Sequence, residues 1–258
     1  MLLTEALVDE IHAFRIRLME QSSDRLKSVF PSAAVKAIGG GLARYAGDGS
    51  PSTQAYGIAH RNARVDLAEL EEFYAPLTDN WELIVTPFDS PSILNEAARA
   101  GYVADHFETV LAQTVRAESH KAVPGVVTEE VVGDITEWVA VVDSAWKERE
   151  VLTADVEEVA RVASARPGRR YLARVDGEPA AAASLESIDG KHLLCGDCTR
   201  PQFRGRGLQK ALIRRRLADL PPGDLAEVVA IPGAQSHRNL QREGFIPLYT
   251  KLVLFRHD

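Results

Sequence analysis

Two Asp-Gly pairs constrain the fold of the second half of the chain more than any other feature. Asp176-Gly177 and Asp189-Gly190 each separate runs of apolar residues. Asp-Gly between such runs is the strongest short-range signal for a β-hairpin turn. The pairs therefore predict an antiparallel meander of three strands, which are Tyr171–Val175, Ala180–Ser187 and His192–Thr199.

Helical patterns flank this meander. Before it, Trp138, Val141 and Ala145 follow helical spacing, and Thr153 is predicted to cap a second helix. After it, the pattern predicts a helix over 208–220, a strand over 226–231, a helix over 236–242 and a strand over 249–255. We therefore expect an α+β fold with a mixed α/β sheet.

The first half has weaker signals. Leu3, Leu7, Ile11, Phe14 and Leu18 form a helical stripe, and a plausible linker lies over 118–125. The linker divides the chain into residues 1–120 and 121–258. Similar residues recur in the two halves of the chain at a constant offset in residue number. Gly101 and Gly244 are one such pair (244 − 101 = 143), and further pairs lie in several elements. A constant register indicates a duplicated unit, with chance similarity as the alternative.

Composition narrows the partners of this 258-residue chain. Its 30 basic and 37 acidic residues give a formal net charge of −7, which makes nucleic acid a poor partner. The first residues lack the pattern of a secretory signal, and no apolar run approaches about 20 residues. We expect a soluble, cytoplasmic monomer or homodimer without membrane contact.

Cys195 and Cys198 are the only cysteines, in the sequence Cys-Gly-Asp-Cys. A zinc site needs further ligands, and no second cysteine pair exists, so we expect no metal. On a regular strand, residues three apart point to opposite faces, too far apart for a disulfide. The pattern predicts two reduced cysteines.

The segment from Thr199 to Leu212 carries the clearest chemistry. After the predicted strand and Pro201, Arg204-Gly205-Arg206-Gly207 leads into a helix. Glycines allow a ligand to approach the backbone closely, and the first helical N–H groups favour a phosphate. Arg204 and Arg206 add charge-assisted donors. The alternative is an ordinary strand–turn–helix with solvated arginines.

This segment resembles motif A of the GNAT superfamily of N-acetyltransferases, whose pattern is Arg/Gln-x-x-Gly-x-Gly/Ala. Arg204 and Gly207 match, whereas Gln209 departs from the small residue of the family. The later run from Ile231 to Gly244-Phe245 also matches the family. The resemblance covers roughly residues 124–258, and more loosely 55–111, as in bacterial members with a degenerate N-terminal half.

The resemblance implies acetyl-CoA as acyl donor and a primary amine of a small molecule or peptide as acceptor. It also implies a set of coenzyme-binding residues. They are Cys198, Thr199, Arg204, Gly205, Arg206, Gly207, Leu208, Gln209, Lys210, Ser236 and Asn239. For Asn239, a helix-surface or capping role is the alternative.

Catalytic groups are less clear. The family's proton-donating Tyr falls at Leu240, so Tyr249 is the substitute candidate, with packing in the last strand as the alternative. Asp197 and Glu186 are the candidates to deprotonate the amine, although either could be an exposed carboxylate. Two rival functions are a non-catalytic acyl-CoA sensor, which the missing Tyr favours, and an interaction protein whose glycine loop is only a turn.

The N-terminal half is predicted to lack a coenzyme site. At the offset of 143, Asn62 and Arg64 replace Gly205 and Gly207, and Asp66 places a negative charge at the helix start. The half would act as a scaffold, with an unrelated α/β domain as the alternative.

Overall fold

The computed structural model describes residues 2–48, 50–61, 63, 65–117, 121–152, 157–165 and 168–256. The chain divides into two compact units. The N-terminal unit contains residues 2–110 and the chain from Leu248 onward, and the C-terminal unit contains residues 111–247. The chain therefore crosses from one unit to the other inside two of its strands. The expected division into domains 1–120 and 121–258 stays a prediction.

The N-terminal unit opens with a long helix and continues with a mixed sheet. Its elements are α1 (Glu5–Val29), β1 (Ala34–Ile38), β2 (Gly41–Tyr45), β3 (Gln54–Tyr56), α2 (Leu67–Tyr74), β4 (Glu82–Val85), α3 (Ser92–Arg99), β5 (Tyr102–Thr114) and β11 (Ile246–Arg256). Its strand order is β1-β2-β3-β4-β11-β5. β3 and β4 are parallel, and β11 is antiparallel to β4.

The predicted first helix is present as α1, but Leu3, the first apolar residue of the predicted stripe, lies outside it. Thr4 is the N-cap, and its hydroxyl oxygen accepts a hydrogen bond from the backbone N–H of Leu7 at 3.2 Å. Leu3 therefore precedes the helix and is exposed. Ile11, Phe14 and Leu18 are buried, as the helical spacing predicts.

The C-terminal unit contains the predicted meander. Its elements are β6 (Val127–Val131), α4 (Thr136–Trp146), α5 (Glu157–Ala165), β7 (Arg169–Val175), β8 (Glu178–Ile188), β9 (Lys191–Thr199), α6 (Leu208–Ala218), β10 (Leu225–Ala230) and α7 (Gln235–Arg242). A 3₁₀ turn over Pro201–Phe203 follows β9. The strand order is β5-β10-β9-β8-β7-β6, with β9 and β10 parallel. The predicted mixed α/β fold is confirmed. The predicted cap Thr153 lies outside the described residues.

Both predicted Asp-Gly hairpins are present. Asp176 and Gly177 have φ angles of 52° and 84°, and Asp189 and Gly190 have φ angles of 47° and 73°. Two successive residues with positive φ are what a type I′ turn requires, and this turn matches the twist of the strands that it joins. The turns therefore fix the register of β7, β8 and β9.

Helices cover both faces of the C-terminal sheet. On one face, α6 buries Leu208, Leu212 and Leu217 against Ala181, Ala183 and Leu185 of β8. On the other face, Trp138, Val141 and Val142 of α4 pack against Leu172 and Ala182. Burying each large apolar side chain contributes about 1.5–3 kcal/mol. The two layers hold the end of β9 and the start of α6 in fixed positions.

No helix in the part of the chain that the structure describes is long and apolar enough to cross a membrane. Within the same residues, no group of three or more His, Cys, Asp or Glu side chains could hold a metal ion.

Candidate functional site

The loop between β9 and α6 leaves the start of α6 without a side-chain cap. Gly205 and Gly207 have φ angles of 80° and 77°, a backbone conformation that residues with a side chain rarely adopt. Gly207 is the N-cap of α6 and makes no side-chain cap hydrogen bond. The first amides of a helix have no intrahelical acceptor, so those of Leu208, Gln209 and Lys210 are donors for an external anion.

A cavity of about 520 Å³ lies beside this helix start. It is lined by Asp197, Cys198, Thr199, Phe203, Arg204, Gly205, Gly207, Leu208, Gln209, Lys210, Leu212, Gln235, Asn239, Arg242 and Glu243. The structure thus brings together every predicted coenzyme-binding residue except Arg206 and Ser236. Its volume lies in the range of about 300–1,000 Å³ that is typical of small-molecule sites.

The two arginines of the loop have different surroundings. The Arg204 side chain is half exposed and donates two hydrogen bonds to the Glu148 carboxylate, at 2.8 and 2.7 Å. The hydrogen bond from Arg204 lowers the pKa of Glu148 and raises that of Arg204. The Arg206 guanidinium lies over the Phe203 ring, 5.4 Å from its centroid, and Arg206 is not among the residues that line the cavity.

Three amide side chains connect α6 and α7 across the cavity wall. Gln209 Oε1 accepts a hydrogen bond from Asn239 Nδ2 at 2.8 Å, and Asn239 Oδ1 accepts one from Gln235 Nε2 at 2.7 Å. Asn239 is therefore held by its neighbours with its side chain in the cavity wall, so it is not a simple helix cap. Gln209, at the position where the family has a small residue, is its direct partner.

A bulge interrupts β9 where it meets the cavity. Ala182 pairs with Cys198 and Ser184 pairs with Cys195, so the single residue Ala183 on β8 faces Gly196 and Asp197 on β9. An extra residue in one strand disrupts the ladder locally and leaves backbone groups without their ladder partners. Such groups, when buried, need other hydrogen-bond partners.

Arg216 supplies those partners. Its side chain is fully buried and donates to both carboxylate oxygens of Asp197, at 2.5 and 3.0 Å. It also donates to the carbonyl oxygen of Ser184 at 2.9 Å, beside the bulge. Asp197 therefore lines the cavity as the counter-ion of a buried guanidinium. Each carboxylate oxygen uses one lone pair for this ion pair and keeps one for another donor.

The expectation that Cys195 and Cys198 point to opposite faces is wrong, because the bulge shifts the alternation of side chains. Cys198 packs with Ala182 on the α4 side, and the Cys195 thiol contacts Glu186 Oε1 on that same side, at 3.6 Å. Both cysteines are free, as predicted. Burial raises the pKa of Cys198 to about 12, so its thiol stays protonated at neutral pH.

No family model and no curated protein matches the sequence. Among solved structures, the model is similar over 93% of its length to 96% of a GCN5-related N-acetyltransferase from Kribbella flavida (TM-score 0.64, 18% identity). It is similar over 95% of its length to 94% of a tandem GNAT protein from the clavulanic acid biosynthesis pathway (TM-score 0.58, 15% identity). It also covers 58% of a GCN5-related N-acetyltransferase from Sphaerobacter thermophilus with 68% of its own length (TM-score 0.52, 17% identity).

The chain has a tandem GNAT fold. The resemblance of the sequence to the GNAT superfamily is thereby confirmed at the level of the fold. The C-terminal unit holds the glycine-rich loop, the bulged strand and the cavity.

Two of the three candidate catalytic residues lie away from the cavity lining. Glu186 is buried on β8, with the Cys195 thiol as one contact, so it is not the solvated hairpin residue that its position allowed. Tyr249 lies in the part of β11 that belongs to the N-terminal unit and packs edge-on against Phe88, with ring centroids 5.0 Å apart. Leu240, at the position of the family's Tyr, is a buried core residue.

Sequence reasoning missed two residues of the site. Arg216 follows Leu208 and Leu212 at a spacing of four, so it lies on the buried stripe of α6. A charged residue on such a stripe signals a buried ion pair. Glu148 carries no comparable signal, because its partner Arg204 is 56 residues further along the chain.

Proposed function

We propose that this protein is an acetyl-CoA-dependent N-acetyltransferase that transfers an acetyl group to a primary amine of a small molecule or peptide. One observation carries the proposal. A cavity of ligand size lies against an uncapped helix start that is preceded by two left-handed glycines and flanked by Arg204 and Lys210. That combination of open amides and positive charge suits a pyrophosphate.

The residues present fit such a group. A Cβ atom built on Gly205 meets nothing within 4 Å, so the glycine leaves open space beside the cavity. The amides of Leu208, Gln209 and Lys210 would hold the phosphates, and the side chains of Arg204 and Lys210 would balance their charge. No carboxylate of the described residues pairs with Lys210, so its ammonium is available.

The remaining residues would orient the rest of the coenzyme. The backbone of Asp197, Cys198 and Thr199 borders the cavity and would pair with the pantetheine arm like an added strand. The Asn239 side chain is hydrogen-bonded to Gln209 and Gln235, and it would donate a hydrogen bond to that arm or accept one from it. When bound, the coenzyme supplies the activated acyl group, and the amine must be neutral to attack it.

A carboxylate is proposed to take the amine proton, directly or through water. Asp197 and Glu186 remain the candidates. Asp197 lines the cavity but is held by Arg216, whereas Glu186 is buried off the lining. Glu186→Gln and Asp197→Asn, each assayed below its unfolding temperature, decide between them. The variant of the true proton acceptor loses the ascending limb of kcat/KM against pH, and two unchanged profiles would rule out both residues.

The direct test is calorimetry with acetyl-CoA, followed by turnover with a panel of amines. Gly205→Asp places a negative charge at the phosphate position and is expected to abolish measurable binding. Gly177→Asp is a matched control, because Gly177 has φ 84° and nothing within 4 Å of a built Cβ, as at Gly205.

Three outcomes are distinguishable. Binding and turnover that are lost only in Gly205→Asp support the proposal. Binding without turnover of any amine would instead support a non-catalytic acyl-CoA sensor. No binding by the wild-type protein would refute a coenzyme site.

A further inference from the structure

The loop after α4 is fastened to the glycine-arginine loop by several side chains. We define the α4 loop as Lys147, Glu148, Arg149 and Glu150. Its Glu150 carbonyl oxygen accepts hydrogen bonds from Arg200 Nη2 at 2.7 Å and Gln202 Nε2 at 2.8 Å. Its Glu148 carboxylate accepts hydrogen bonds from both terminal nitrogens of Arg204. Every one of these donors precedes Gly205 by five residues or fewer.

The contacts of the α4 loop differ in strength. Arg200 is buried and also donates to the Pro179 carbonyl oxygen at 2.7 Å, so it forms a fixed anchor. Arg204 and Glu148 are 51% and 63% exposed, and an exposed ion pair contributes little and is easily exchanged. Glu148 also has a φ angle of 52°, which places a non-glycine residue in the left-handed region. The Glu148–Arg204 pair is therefore the weak point of the attachment.

The same guanidinium lines the cavity. In the structure its two terminal nitrogens are both used by one carboxylate, so its charge is balanced before any ligand binds. A phosphate in the cavity needs that charge, and it would also lie close to the negative charge of Glu148. Glu148 and a phosphate therefore compete for Arg204.

We propose that Glu148 is a built-in competitor for the phosphate position, and that coenzyme binding releases it and loosens the α4 loop. The inference rests on the proposed function, because it takes the coenzyme as the anion that displaces Glu148. The α4 loop thus has two positions, one tied to Arg204 in the free protein and one released when Arg204 binds phosphate.

The first experiment is calorimetry with coenzyme A on the wild type, Glu148→Gln and Glu150→Gln. Glu148→Gln is expected to bind about two- to fivefold more tightly, the scale that an exposed ion pair contributes. Glu150→Gln is the matched control, because it removes the same charge from the same loop while its backbone contact to Arg200 and Gln202 remains. Equal tightening in both variants means a general charge effect and overturns the proposal, as does unchanged or weaker binding in Glu148→Gln.

The second experiment follows the loop without any assay of activity. Trp146, two residues before Glu148, is 56% exposed, whereas Trp81 and Trp138 are buried. Acrylamide quenching of tryptophan fluorescence therefore reports mainly on the end of α4. Coenzyme A is expected to raise quenching in the wild type, and Glu148→Gln is expected to show the raised value before any ligand is added. Binding without a change in quenching refutes the release of the loop, whereas no binding of coenzyme A by the wild type refutes the proposed function itself.

Discussion

The starts of α2 and α6 differ in how the first backbone N–H groups of the helix are bonded. At α2 a side chain of the chain itself accepts a hydrogen bond from one of them, whereas at α6 they are open to a ligand. Adding 143 to a residue number of the N-terminal unit gives the corresponding residue of the C-terminal unit. By this offset, α2 corresponds to residues 210–217 of α6, β4 corresponds to residues 225–228 of β10, and α3 corresponds to the whole of α7. The elements keep their order and spacing in both units. The difference lies in which groups meet the first helical amides.

In the N-terminal unit, the chain supplies its own anion. The Asp66 carboxylate accepts a hydrogen bond from the backbone N–H of Ala68 at 3.0 Å and caps α2. In the C-terminal unit, the corresponding residue is Gln209 (66 + 143 = 209), and Gly207 caps α6 without a side chain. Lys210, which lines the cavity, corresponds to the buried core residue Leu67. The predicted replacements Asn62 and Arg64 lie outside the described residues.

The arginines at the two loops differ in the same way. Arg61 donates to both carboxylate oxygens of Asp9, at 2.8 and 3.1 Å, and also to the Glu5 carbonyl oxygen. The hydrogen bonds from Arg61 and then His60 lower the pKa of Asp9. Among the residues that the structure describes, Arg204 donates only to Glu148. Arg61 is therefore held by a network, whereas Arg204 has a single exchangeable partner. The scaffold role of the N-terminal unit stays a prediction.

The largest effect is expected from Asp197→Asn. The N-terminal unit has Gln54 and Phe73 at the positions of Asp197 and Arg216 (197 − 143 = 54 and 216 − 143 = 73), so both positions are neutral there. In the C-terminal unit, the substitution would leave the buried Arg216 charge without its counter-ion. Removing one partner of a buried ion pair costs about 3–5 kcal/mol. Denaturant unfolding, with hydrogen exchange of β8 and β9 peptides, measures the loss.

The double variant Asp197→Asn/Arg216→Met tests the cause. It removes the unpaired charge and is expected to recover most of the stability, as neutral replacements of buried ion pairs often do. A single variant as stable as the wild type would mean that Arg216 does not depend on Asp197.

The second prediction separates the two arginines. Arg204→Ala is expected to weaken acetyl-CoA binding by about tenfold, the scale of a charge-assisted contact to phosphate, with an unchanged Tm. Arg61→Ala is expected to leave binding unchanged and to lower the Tm, because it removes the link between Asp9 and the loop. Calorimetry and thermal unfolding of both variants check this, and a loss of affinity in Arg61→Ala would mean that the N-terminal loop also binds the coenzyme.

Local signals made much of the C-terminal unit predictable. The Asp-Gly turns, the apolar periodicity and the glycine loop depend on residues close together in the sequence, and the elements they predict are present. The boundaries differed by one to three residues at most ends, because helix and strand ends depend on caps and on neighbouring elements.

Long-range features escaped prediction for a physical reason. The bulge at Gly196-Asp197 depends on how β9 pairs with β8, and the Arg204–Glu148 pair joins residues far apart in the sequence. Neither leaves a periodic pattern. The membership of β11 in the N-terminal unit is likewise a matter of strand pairing, so the position of Tyr249 beside Phe88 could not be inferred from the residues around it.

A smaller effect is expected from removing the internal anion of α2. Asp66→Ala loses the acceptor for the Ala68 amide and is expected to lower stability by about 1 kcal/mol. Asp66→Asn keeps an acceptor oxygen and is the matched control, with a smaller loss. Thermal unfolding measures both, and acetyl-CoA affinity should not change in either. Equal losses in the two variants would show that the charge, rather than the cap, stabilises α2.

The smallest effect concerns pH and is confined to the N-terminal unit. His12 stacks on His60 with ring centroids 3.8 Å apart, and its Nε2 is 3.0 Å from the Gly40 carbonyl oxygen. Burial, and next the neighbouring His60, lower the pKa of His12, although the Gly40 carbonyl and Asp9 oppose this shift. The folded unit therefore favours neutral His12, and the unfolded chain binds more protons below about pH 6.5.

The sign follows from this difference. Stability is full above about pH 6.5 and falls as the pH decreases from there towards the lowered pKa of His12, below which it levels off. Thermal unfolding between pH 8 and 5.5 should show a fall of about 2 °C or less from this residue. His12→Gln keeps a polar group but cannot be protonated, so its unfolding curve should be flatter over this range. The Glu148–Arg204 pair of the C-terminal unit should show no such change, because the Arg204 hydrogen bond lowers the pKa of Glu148 and keeps that pair intact at pH 5.5. An equal fall in hydrogen-exchange protection in both units would mean that acid acts on the whole chain, and that the two loops are not held by different groups.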